Sequence, residues 1–296
     1  MAYYKMTKIA IVCPSTEEIH AWLDAGNDPN ELHPKYGLLL KYVIQDHKLR
    51  RVTQDRLSNA RLLLERGADP NKMLSAWNGL PDGRRVLDAA GPNKMLFVIP
   101  TTVFQYACSC APATCVALLL EFGAEIKSEC LFDTMDHNFD ERAAEILDIL
   151  ISAGANIETV RFSGNGEECW GPLPFACMLE MDACVRVLLR AGADPNRPLW
   201  DGSTCLHMAA DKENPTVIEM LLDAGAQIDA QDKKGNTPLL YACKWHEEED
   251  SEDTIQTLFA AGASLTVRNN KGKQARDYAS TREMIELLTR RPKGAM

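Results

Sequence analysis

The pentapeptide GADPN occurs at residues 67–71 and again at 192–196, each time directly after a leucine-rich run, ARLLLER and VRVLLRA. Looser copies follow runs of the same kind: GNDPN from Gly26, GAEIK from Gly123, GANIE from Gly154, GAQID from Gly225 and GASLT from Gly262. The intervals between these glycines are 41, 56, 31, 38, 33 and 37 residues, as for a unit in the low thirties that carries insertions. Leucines before each glycine share one helical face, as in VIEMLLDAG at 217–225. A glycine there can take the left-handed conformation that ends a helix without a Cβ clash, and the Asp, Asn and Pro after it favour a reversal. GADPN therefore reads as a helix stop followed by a turn, and the chain as a tandem repeat.

A second motif stands upstream of each stop. Thr204-Cys-Leu-His207-Met-Ala-Ala210 and Thr237-Pro-Leu-Leu-Tyr-Ala-Cys243 each lie two residues after a glycine, Gly202 and Gly235. The spacing from this position to the stop is 21 residues from Thr102, Gly171 and Thr204, and 25 from Thr237. In DGSTCLHMAA and DKKGNTPLLYA, with the stops in phase, the chain resembles the ankyrin-repeat family over about 270 residues. The resemblance implies an all-α solenoid of helix–loop–helix units with connecting hairpin turns. The units stack because neither helix buries its apolar face alone. About seven repeats are expected in a single array over 1–296, at 36–71, 102–127, 130–158, 171–196, 204–229, 237–266 and a shortened 274–291. A partial cap over 1–30 precedes them, opened by a capping box at Ser15-Thr-Glu-Glu18. CLFDTMD, opening the 130–158 unit, hardly resembles the signature.

Composition narrows the function. The chain has 296 residues, 46% of them apolar, and a net charge of −10, which opposes binding to nucleic acid and to anionic membranes. IAIVC at 9–13 is too short for a secretory core, and no stretch approaches a membrane span. The ten cysteines are diluted in a long chain without an N-x-S/T sequon, so reduced thiols and a cytoplasmic monomer are expected, with nuclear entry compatible. The repeat register puts Cys108, Cys177 and Cys243 at one core position and Cys115 and Cys184 at another. Cys108-x-Cys110-x4-Cys115 lacks a fourth ligand, so no metal and no cofactor are expected. By the resemblance, His207 bonds the turns of the array rather than acting as a general base.

Two clusters read as solvated loops: Asp133, Asp136, His137 and Asp140 between the helices of one unit, and the acidic run from His246 to Asp253. The insertion at 72–101, with its apolar MLFVIP, must pack on something, and a basic extension, DHKLRRVTQ, falls at 46–54. No nucleophile elbow, phosphate loop, dinucleotide fingerprint, HExxH pair or kinase set is present, and no appended domain is expected after the last repeat.

The resemblance therefore implies a non-enzymatic protein–protein interaction module, an adaptor, scaffold or regulator that binds another protein through a concave groove and hairpin tips. A regulator could act by covering an enzyme's active site. The alternative is an enzyme or small-molecule binder whose groove the 72–101 insertion closes, with Cys169, Asp201, Asp211 and His246 as polar participants. The expected partner site is a ridge of Trp170, Trp200 and Trp245 flanked by Met178, Asp201, Asp211 and Lys244, all at hairpin or first-helix-end positions. Trp77 and the MLFVIP run are the fallback contact surface.

Overall fold

All seven stop glycines have positive φ, from 81° at Gly123 to 95° at Gly262. In six of them the next residue is alanine. That alanine's N–H donates five residues back to a leucine carbonyl, as in Ala68 to Leu63 (2.9 Å) and Ala193 to Leu188 (3.0 Å), which closes the helix end. The Asp of the motif folds the next turn, Asp69 Oδ1 accepting from Asn71 N and Asp194 Oδ1 from Asn196 N, at 2.8 and 2.9 Å. The final Asn reaches the following stop. Asn196 Nδ2 donates to Gly225 O at 3.0 Å while its Oδ1 accepts from Gln227 N at 2.7 Å. Asn30 makes the same pair of bonds at Gly67 and Asp69, and Asn71 at Gly123 and Glu125. The Gly, Asp and Asn of GADPN thus each answer a distinct backbone requirement.

The computed structural model describes residues 14–34, 37–44, 54–74, 101–137, 139–162, 168–244 and 251–278. Its chain divides into two units, Met1–Glu125 and Ile126–Met296. In the first, α1 (Thr16–Asp24) opens with the capping box expected at Ser15 and Glu18. A short antiparallel pair, β1 (Leu32–His33) with β2 (Gly37–Leu38), leads to α2 (Leu39–Ile44) and α3 (Gln54–Glu65). A second pair, β3 (Met73–Leu74) with β4 (Thr101–Thr102), leads to α4 (Val103–Cys110) and α5 (Ala113–Glu121). Leu39, Leu63, Phe104 and Leu119 are fully buried among these helices, each contributing about 2 kcal/mol of hydrophobic stabilisation.

The second unit opens with α6 (Glu129–His137) and α7 (Asp140–Ser152), followed by β5 (Arg161–Phe162) paired with β6 (Glu168–Trp170). Then come the helix pairs α8 (Pro172–Met178) with α9 (Asp182–Arg190), α10 (Cys205–Asp211) with α11 (Pro215–Asp223), and α12 (Pro238–Lys244) with α13 (Ser251–Ala260). First helices stack on first helices, α8 on α10 and α10 on α12, and second helices likewise, α7, α9, α11 and α13 in order. The architecture is a helical repeat, and the short strand pairs lie at three of its connections. The cluster expected as a loop at 133–140 is instead mostly helical: Asp133 and Asp136 lie on α6, and Asp140 opens α7. Asp140 accepts from Ala183 N and Cys184 N at 2.8 and 3.0 Å, satisfying free amides of α9, and Asp136 pairs with Arg161 at 2.7 Å. Residues 75–100, 45–53, 245–250 and 279–296 lie outside the described residues. They include most of the insertion, the basic extension, much of the acidic run and most of the expected last repeat.

The turns before the first helices stack as the stops do. Asp201 Oδ1 accepts from Ser203 N, Asp232 Oδ1 from Lys234 N and Asn236 N, and Asn269 Oδ1 from Lys271 N and Lys273 N. Backbone bonds of 2.9 Å, Lys233 N to Asp201 O and Asn270 N to Lys234 O, join one turn to the next. His207 ties this ladder to the helices. Its Nδ1 accepts from Thr204 N at 3.0 Å and its Nε2 lies 3.0 Å from Asn236 O, partners that assign the proton to Nε2. Burial, opposed by the bond to Asn236, holds the imidazole below its usual range, so it is neutral in the folded state.

Three outcomes follow from these bonds. Asn196→Ala should cost about 1 kcal/mol in urea unfolding, with Asn196→Asp, which keeps the acceptor, costing less. Gly235→Ala should cost more than Gly225→Ala, which costs about 1 kcal/mol for the left-handed backbone alone. At Gly235 a Cβ would also lie 2.7 Å from Asn270 Oδ1 and 3.0 Å from Asn270 N, whereas none crowds Gly225. Because the folded pKa of His207 is depressed, the unfolded chain takes up the proton first. Its contribution is complete above about pH 6.5 and is lost as the pH falls. The urea midpoint should therefore drop between pH 7 and 5, and His207→Gln should flatten that slope; equal slopes in the two proteins would assign the titration elsewhere.

Candidate functional site

Two consecutive first helices and the turn between them enclose a cavity of about 260 Å³ in the second unit. Its two indoles come from different segments of the chain. Trp170 ends β6, where Gly171 caps α8 with Pro172 in the first turn. Trp200 stands on the turn at 199–203, closed by Leu199 N to Ser203 O at 2.8 Å, and is 70% exposed. The Lys233 amine donates to the Trp200 carbonyl and holds this tip against the next turn. Met178 at the end of α8 and Met208 and Asp211 on α10 complete the rim, with Tyr241 of α12 behind them. Trp170, Leu199 and Trp200 also wall a smaller cavity of about 110 Å³ on their other side.

The cavity is electronegative. Asp201 uses only Oδ1 in its turn, accepting from Ser203 N and from Ser203 Oγ at 2.6 Å. Asp211 is exposed and has no ion pair among the described residues. Lys212 lines the cavity, but its amine is drawn to Glu180 at 3.3 Å. Tyr241 donates to Asp232 Oδ2 at 3.1 Å. Burial raises the phenol above its usual range, and the charges of Asp232, Asp201 and Asp211 raise it further. Asp232 responds oppositely: burial would raise it, but bonds from Asn236, Tyr241 and Lys234 outweigh this and hold the carboxyl low.

Five of the residues chosen from the sequence, Trp170, Met178, Trp200, Asp201 and Asp211, line this one cavity. Lys244 closes α12, but its side chain, together with Trp245 and His246, lies outside the described residues, as do Trp77, the MLFVIP run and the Cys169 side chain. Sequence reasoning missed Met208, Tyr241 and Leu199. The signal for the first two was available: both stand four residues after the Thr position, one helical turn before Asp211 and Lys244 and on the same face.

The chemistry within reach is that of binding. His207 touches the cavity, yet both its nitrogens are engaged. The cysteines assigned to core positions, Cys108, Cys115, Cys177, Cys184 and Cys243, are all buried. The Cys177 thiol is raised by its bond with Cys205 and by burial, Cys184 by burial and Asp140, and Cys243 to about 12 by burial, so these groups stay protonated and inert. Among the described residues no three His, Cys, Asp or Glu side chains converge as metal ligands, and no helix is long and apolar enough to cross a membrane. A further groove of about 580 Å³ between α11 and α13, lined by Glu219, Leu222, Asp223 and Gln256, has no aromatic wall.

Comparison with known proteins agrees with this architecture. The family of ankyrin repeats matches residues 173–269 in three copies. Among curated proteins, the B-cell lymphoma 3 protein homolog of Mus musculus is 28% identical over 149 residues, 49% of this chain and 31% of that protein. Rabankyrin-5 of Mus musculus is 30% identical over 142 residues, 36% of this chain and 12% of that protein. Ankyrin repeat and KH domain-containing protein 1 of Homo sapiens is 39% identical over 97 residues, 32% of this chain and 4% of that protein. The chain spans less than a third of the length of each. Left-handed stops, a Thr-to-His capping box and stacked turns all lie within the matched segment, so residues 173–269 form ankyrin repeats.

Proposed function

We propose that this chain is a non-enzymatic protein-interaction module, an adaptor or regulator that holds a partner protein against the first helices and turn tips of its second unit. The observation that carries the reading is Trp200. A 70% exposed indole on a turn fixed by backbone bonds, lining a cavity together with Trp170, has the character of an interface anchor. Nothing in the packing of the repeat requires so large an apolar group in water. Repeat arrays offer extended surfaces of this kind to other proteins, and one of the relatives matched here is named for ankyrin repeats.

The alternative of a small-molecule or catalytic site is less well supported. The cavity of about 260 Å³ falls below the range of about 300–1,000 Å³ usual for small-molecule pockets. Its histidine is committed to the scaffold and the nearby thiols stay protonated. We place the protein in the cytoplasm as a monomer; the buried thiols of Cys177, Cys184, Cys205 and Cys243 suit a reducing compartment.

Trp200→Ala tests the site. Proteins retained by the immobilised wild-type chain should bind the variant at least about tenfold more weakly, as for a truncated aromatic anchor, at an unchanged melting temperature. Equal retention by both proteins, or unfolding of the variant, would return Trp200 to the scaffold.

A further inference from the structure

We infer that the cavity between Trp170 and Trp200 receives an arginine side chain from an extended segment of the partner protein. This rests on the binding reading above and specifies its chemistry. Two indoles line the cavity, and tryptophan is the strongest aromatic partner for a planar cation. The carboxylates stand at the same opening. Asp201 spends Oδ1 on its own turn and leaves Oδ2 without a partner among the described residues, while Asp211, also there without an ion pair, lies across the rim at the end of α10. Two carboxylates can share a guanidinium's forked donors, a geometry that an ammonium does not match.

Among the described residues, the lysines beside this opening are committed elsewhere. Lys212 is paired with Glu180, and Lys233 is bonded to the Trp200 carbonyl. The charges of Asp201, Asp211 and Asp232 all act on Tyr241 at the back of the cavity, so the negative field reaches its floor. Met178 and Met208 give the aliphatic stem an adaptable apolar rim. A volume of about 260 Å³ suits one inserted side chain with its backbone passing outside. The net charge of −10 would draw a basic segment toward the surface.

The test is a selection of peptides from a random displayed library on the full chain, keeping those that Trp200→Ala releases. One arginine should recur among them. Replacing that arginine with citrulline, which keeps the shape and removes the charge, should weaken binding at least about tenfold, as loss of a charge-assisted pair does. Lysine in its place should bind more weakly than arginine. In the Asp201→Asn, Asp211→Asn double variant, where the amide oxygen introduced at position 201 keeps the turn acceptor, arginine and citrulline peptides should bind alike while melting stays unchanged. Selected peptides that Trp200→Ala releases but that carry no recurrent basic residue would overturn the arginine assignment and leave the binding site standing. A recurrent lysine that binds as tightly as arginine would also overturn it. If the selection yields no peptide sensitive to Trp200→Ala, both readings fall.

Discussion

Everything in this chain hangs on a bond made between helix stops. Four residues past a stop glycine, a side-chain oxygen accepts the amide two residues past the next stop. Asn30, Asn71 and Asn196 do this for Asp69, Glu125 and Gln227. Where the asparagine is replaced, any side-chain oxygen serves: Glu158 accepts from Asp194 N at 3.3 Å and Asp229 from Ser264 N at 2.9 Å. The asparagines add a second bond, Nδ2 to the next stop's glycine carbonyl, that a carboxylate has no proton to make. Within each unit, neighbouring helix pairs are thus set to one another by polar groups that would otherwise be unpaired chain ends. Lys127 occupies the equivalent place after Gly123, and an ammonium has no lone pair to offer an amide.

This explains which parts of the fold were legible in the sequence. A stop glycine announces itself because its φ is a local demand, and all seven positions could be named from the chain alone. The role of Asn71 could not, since its partner amide at Glu125 lies 54 residues ahead. Asp140 is the same case. Read locally, it belongs to an acidic loop; in space it caps α9, 43 residues later. The cluster was misread because carboxylates close in sequence suggest solvation, while here they serve two different elements.

The candidate site was legible to the extent that register determines direction. Counting from the Thr position puts Met178 and Asp211 at the same helical station, and both reach the cavity. Tyr241 was overlooked although its station, shared with Met208, lies on the face of Lys244, and only the three-dimensional structure shows its hydroxyl turned to Asp232. His207 shows the opposite lesson. An imidazole beside a cavity suggests chemistry, yet its two bonds join a capping box to the following turn, and burial keeps it neutral in that task.

The same turns that align the array also decide where a ligand can be held. Leu199 holds the place of Asp232 in the preceding turn, as the matching bonds Leu199 N to Ser203 O and Asp232 N to Asn236 O show, while Asp201 stands two residues later, at the place of Lys234, and the two aspartates differ in reserve. At Asp232, Oδ1 takes two amides and Oδ2 takes the Asn236 amide nitrogen and the Tyr241 hydroxyl, so both oxygens are spent inside the scaffold. At Asp201 the hydroxyl of Ser203 and its amide share one oxygen, and no tyrosine stands in the corresponding place, where the helix carries Met208. A methionine cannot quench a carboxylate. The unspent oxygen, the exposed indole beside it and the soft rim therefore coincide at this turn, and the asymmetry of the site follows from a carboxylate placed two residues later in its turn than Asp232 is in the next.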